Sequence, residues 1–145
     1  MITILALVAG SIISTALVST AIVSSGGADN TGNIKAVDFR VYWDRSCTNR
    51  TSTINWGTME PNTTKSFTVY IKNTGTIPER LSMRSSNWNP TTAQKYVTLT
   101  WDRENSILKR ASYITATFTL RSSSNVTNLA EFSFDITITG TQNKS

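Results

Sequence analysis

The sequence predicts a hydrophobic α-helix at the amino terminus followed by an all-β antiparallel sandwich. Three observations lead there. Residues 2–24 carry no charge, apolar and polar residues alternate with period 2 through much of 34–139, and no amphipathic helical stretch interrupts that alternation. A chain of 145 residues has room for one ordinary domain plus a short appendage.

The first element is ITILALVAGSIISTALVSTAIVS, 23 positions from Ile2 to Ser24. As a helix this stretch spans roughly 35 Å, enough to cross a hydrocarbon core of about 30 Å. A helix that is apolar all round must be buried on every side, by lipid or by other helices. Ala6, Ala9, Gly10, Ser14, Ala16 and Ala21 would let neighbouring helices approach closely. Leu5, Val8, Ile12, Ile13, Leu17, Val18 and Ile22 would fill the space between copies. A secretory signal normally opens with basic residues, and no Lys or Arg precedes Lys35. Ser25-Gly26-Gly27 then stops the helix. The expected organisation is an assembly helix over 1–25, a hinge over 26–33 centred on Gly26 and Gly27, and a sandwich over 34–145.

The strands follow from the alternation. Val37, Phe39, Val41 and Trp43 share one face, opposite Asp38, Arg40 and Tyr42. A short strand is expected near Ser52–Trp56. Phe67, Val69 and Ile71 form the next inward set, and Leu81 and Met83 continue it after a turn at Asn73-Thr74-Gly75. Val97, Leu99 and Trp101 come next, then Ile114, Ala116, Phe118 and Leu120, then Phe132, Phe134, Ile136 and Ile138. About seven short strands joined by polar turns suggest an immunoglobulin-like sandwich.

Composition narrows the function. Thr and Ser number 24 and 18 of the 145 residues, so hydroxyl side chains replace much of the usual surface charge. There is no histidine, the commonest acid/base and zinc ligand. The single cysteine, Cys47, has no partner for a disulfide and no imidazole to activate it. Asp38, Asp44, Glu60, Glu79, Asp102, Glu104, Glu131 and Asp135 are dispersed without calcium-loop spacing. The expectation is a non-enzyme without cofactor or metal. The net charge of +5 is scattered along the chain, with Lys109-Arg110 the only adjacent basic pair, so no nucleic-acid partner is expected. Trp43-Asp44-Arg45 is echoed by Trp101-Asp102-Arg103, and Asn55-Trp56 by Asn87-Trp88. These read as tryptophans capping core edges, with Asp-Arg opening a turn. Asn49, Asn62, Asn125 and Asn143 each begin an Asn-x-Ser/Thr sequon outside the expected strand centres, as surface glycosylation requires.

An uncharged leading helix, a Gly26-Gly27 hinge and a Ser/Thr-rich β domain together resemble the archaeal type IV pilins. The resemblance covers residues 1–25 in the helix role and 34–141 in the outer-domain role. The stretches Asn73-Thr74-Gly75-Thr76-Ile77-Pro78, Asn87-Trp88-Asn89-Pro90 and Leu99-Thr100-Trp101 also look like small β domains of archaeal surface proteins. The chain departs from the wider family in carrying Leu5 where bacterial relatives have Glu. It also lacks the upstream basic cleavage site, as expected if Met1 is the mature first residue. The resemblance implies an extracellular adhesion filament built from identical subunits, held in the cytoplasmic membrane before assembly, with helices bundled inside and β domains outside. Cell surfaces, viruses or glycans are the further partners it implies. Two alternatives rest on other features: a filament joined by strand donation into a neighbour's sandwich, and a membrane-anchored sugar-binding domain using exposed Trp.

Overall fold

The computed structural model describes residues 30–35, 38–125 and 131–142, which form a two-sheet β-sandwich. Its ten strands are β1 (Asn30–Lys35), β2 (Phe39–Tyr42), β3 (Arg50–Thr51), β4 (Thr53–Gly57), β5 (Thr64–Asn73), β6 (Glu79–Asn89), β7 (Val97–Trp101), β8 (Ile107–Leu108), β9 (Tyr113–Ser122) and β10 (Ser133–Gln142). One sheet has the order β4-β1-β10-β6-β8 and the other β3-β2-β5-β9-β7. All pairs are antiparallel except β1 with β10, which run parallel from Thr31↔Ser133 to Lys35↔Thr137.

The expected fold class needs correction. Among the described residues there is no long helix ahead of the sandwich. The one helix among the described residues is a five-residue 3-10 turn, Thr91–Lys95, that carries the chain from β6 across to β7. No helix among the described residues is long and apolar enough to cross a membrane. The positions on which the assembly helix was expected, 1–25, lie outside the described residues, with Leu5, Val8, Ile12, Ile13, Leu17, Val18, Ile22, Gly26 and Gly27. An apolar run without periodicity does not by itself select helix over strand.

The hinge is corrected as well. Its last four positions, Asn30 to Asn33, belong to β1, which is paired on both sides. The alternation over 34–43 suggests one strand face, with Phe39, Val41 and Trp43 on it, but the chain forms two strands in different sheets, β1 and β2. A second crossing occurs at Ser52, where β3 in one sheet passes directly into β4 in the other. These crossings and the short β8 turn about seven strands into ten.

The core lies where the alternation placed it. Val69 and Ile71 on β5, Ala116, Phe118 and Leu120 on β9, and Ile136 and Ile138 on β10 are all fully buried. Each such large side chain contributes about 1.5–3 kcal/mol on burial. Phe134 is stacked by Trp88 at 4.2 Å and by Trp56 at 6.5 Å, and Trp56 meets Phe67 of the opposite sheet edge-on at 5.1 Å. Tyr42, expected outside, is buried.

Candidate functional site

No element of the fold gathers a reactive cluster among the described residues. Among the described residues no group of three or more His, Cys, Asp or Glu converges. What the described residues do offer are three sequons and a hydroxyl-bearing sheet face on the surface, and two contrasting carboxylates, Glu104 exposed and Glu79 buried.

Asn49, Asn62 and Asn125 are exposed, and Asn143 lies outside the described residues. Asn49 sits in the loop from β2 to β3, which Asp44 organises. The Asp44 carboxylate accepts the Thr48 hydroxyl at 2.6 Å, the Asn49 N–H at 2.6 Å and the Thr48 N–H at 3.0 Å. Those bonds, the Thr48 hydroxyl first, hold its pKa below the usual carboxylate value. Asn62 occupies the left-handed region at φ 55°, which Asn tolerates better than most residues, and its N–H donates to the Ser123 carbonyl at 3.1 Å. Asn62 and Asn125 therefore share the end of the sandwich at which β1 begins. Ser122 fastens that end, its hydroxyl donating to the Glu60 carbonyl at 2.5 Å and accepting the Thr63 N–H at 2.9 Å.

The outer face of the β5–β9–β7 region is a hydroxyl surface. Ser66 lies 2.9 Å from Thr119 and Thr68 lies 3.4 Å from Thr117, oxygen to oxygen across the strands. Thr98 and Thr100 extend the rows onto β7 through the registers Thr98↔Arg121 and Thr100↔Thr119. At one end of this face Tyr113 packs edge-on against Tyr70 at 5.9 Å and accepts the Arg45 Nε at 2.8 Å. None of the four tryptophans is exposed: Trp56 and Trp88 are buried, and Trp43 and Trp101 are half-buried against Phe67 and Phe118. The echoed Trp-Asp-Arg segments behave alike, since Asp102 also accepts a backbone N–H, that of Thr117, at 2.8 Å.

Glu104 is a residue whose role sequence reasoning missed. Its carboxylate accepts the Ser82 hydroxyl at 2.7 Å, the Met83 N–H at 3.1 Å and the Trp101 Nε1 at 2.8 Å, so it clasps β6 to β7 across the two sheets. Partial burial acts to raise its pKa, but the bonds from Ser82, Trp101 and Met83 outweigh that and the net direction is down. Arg103 reinforces the corner by donating its Nε to the Thr115 carbonyl. The only signal in the sequence was the spacing of Trp101 and Glu104, three residues apart after a strand. Glu79 was missed too. It is 1% exposed on β6, its Oε2 has no hydrogen-bond partner, and burial, then the charge of Asp38, push its pKa from 4.5 to about 7.

Comparison with protein families, curated proteins and solved structures finds no match for this chain. The surface just described is what carries the functional reading.

Proposed function

We propose that the chain is a structural subunit of an extracellular adhesion filament, polymerising through its uncharged amino-terminal segment and displaying the sandwich outward. The observation that carries this reading is the join between the two. The 23 uncharged residues from Ile2 to Ser24 lead within a few positions into β1, which lies inside a sheet between β4 and β10 rather than at its edge. Because β1 and β10 are parallel, β1 begins and β10 ends at opposite ends of the sheet. A pull between them loads five registered pairs together, in shear, instead of unzipping them one at a time. That suits a subunit that must transmit tension from a polymer to a contacted surface.

Apolar segments of this length gain stability by leaving water, at about 25 cal/mol per Å² buried. Repeated contacts between unlike surfaces of identical copies give an open polymer. Before assembly the same segment would hold the subunit in the membrane. Asn49, Asn62 and Asn125 are exposed, which favours glycans on the displayed domain. The resemblance to type IV pilins supports the same reading. Strand donation is less well supported, since the inward residues of β6, β9 and β10 are already buried: Leu81, Phe118 and Ile138 are fully so. The sugar-binding alternative loses its exposed tryptophans.

Ile13→Asp or Leu17→Lys is expected to abolish filaments in electron micrographs of the full-length chain. The tryptophan fluorescence of the sandwich should stay unchanged, because all four tryptophans pack within 30–142. Normal filaments from both variants would refute the role of the segment.

A further inference from the structure

Glu79 lies at the end of the sandwich opposite the start of β1. It pairs with Leu108 on β8 and with Gln142 on β10. Its side chain turns inward over Gly140, and a Cβ placed at Gly140 would lie 2.8 Å from both Cδ and Oε2 of Glu79 and would overlap the Phe39 ring. The carboxyl group is therefore packed directly on backbone and on an aromatic ring, with Oε2 unpartnered.

Among the described residues, the hydrogen bonds around Glu79 do not place a cation on its carboxyl. From β10 come Gly140 and Gln142, and from β8 comes Leu108, with the exposed Lys109 beyond it. From β5 comes Asn73, whose amide donates to the Ile77 carbonyl at 2.8 Å and the Leu108 carbonyl at 3.2 Å. The neighbouring Arg80 projects to the other side of the strand, where its Nη1 donates to the Asn105 carbonyl at 3.1 Å. The segment before β2 brings Asp38, a second carboxylate, whose charge acts unfavourably on Glu79.

We propose that Glu79 is a proton-held latch: it stays uncharged in the folded sandwich, and its ionisation loosens the end where β2, β6 and β10 meet. An uncharged carboxyl tolerates this apolar site far better than a carboxylate does. Once ionised, the group regains solvation only by parting β10 from Phe39 and admitting water. The sign follows from the direction of the shift. A carboxyl whose folded-state pKa lies above its unfolded value contributes stability below the unfolded value, and that stability is lost as pH rises through the folded one. Between 4.5 and about 7, the folded chain binds the extra proton. The whole effect amounts to as much as about 300-fold in the folding equilibrium. The fold is thus stabilised in acid and relaxed in alkali at one defined end.

The test is the melting temperature of the full chain from pH 4.5 to 8.5, for the wild type, Glu79→Gln and Asp38→Asn. The wild type should lose stability across this range, and Glu79→Gln should remove the loss. Asp38→Asn, which keeps the latch but removes its charged neighbour, should shrink the loss and move it to lower pH. This second variant decides the matter if Glu79→Gln does not fold. The same loss in the wild type and in every variant that folds would overturn the proposal. So would a melting temperature that calcium raises in the wild type, because the carboxyl would then be a cation ligand.

Discussion

Two glutamates on the same flank of the sandwich behave oppositely. Glu104 is exposed, accepts three hydrogen bonds from β6 and β7, and is held ionised. Glu79 is buried on β6, leaves Oε2 unpartnered and faces a second carboxylate. Partners and burial, taken together, decide whether a carboxylate fastens a fold or burdens it. Glu104 joins the sheets by supplying acceptors that edge-strand donors need. Glu79 occupies space that Gly140 vacates for it, and remains compatible with the core only by keeping its proton.

The largest effect should come from closing that space. Gly140→Ala forces a methyl group into Phe39 and Glu79, and we expect a loss of about 3 kcal/mol in denaturant unfolding. An unchanged unfolding midpoint would mean that the carboxyl is not seated on Gly140. Next comes the clasp. Glu104→Ala orphans Trp101 Nε1 and the Met83 N–H, for a loss of about 2 kcal/mol near neutral pH. The loss should fade in acid, since a carboxylate with a lowered pKa contributes above its unfolded value and stops contributing as pH falls through the folded one. That is the reverse of the Glu79 profile, so thermal melts of Glu104→Ala and Glu79→Gln against pH should diverge in opposite directions. Parallel profiles would break the comparison. The smallest effect is expected on the hydroxyl face, where Thr68→Val should change stability by no more than about 0.5 kcal/mol, because its 3.4 Å contact with Thr117 is solvent-exposed.

The sandwich was legible wherever one side of a strand faces the core. β5, β7, β9 and β10 carry the alternation, and their inward apolar residues are buried or half-buried against the core. β1 reads Asn-Thr-Gly-Asn-Ile-Lys and has almost no apolar signature. It is a strand because β4 and β10 supply partners on both sides, which is tertiary information. The second half of β6, from Arg84 to Asn89, looks like a polar loop and is held in the sheet by its pairing with β10. Of the surface features, the sequons were legible because Asn-x-Ser/Thr is a local pattern. Glu104 and Glu79 were not, since hydrogen-bond partners 21 and 22 residues away, and a glycine on another strand, define their roles. Sequence alone placed Asp44 and Asp102 in turns and gave Glu79 and Glu104 no role of their own among the dispersed carboxylates.

The central claim, polymerisation through the uncharged segment, is tested most directly by electron micrographs of the purified full-length chain, with mass spectrometry to establish that residues 2–24 are present. The account predicts fibres of uniform width built from the intact chain. Dispersed single particles that retain the segment, or fibres assembled from chains that lack it, would contradict the account.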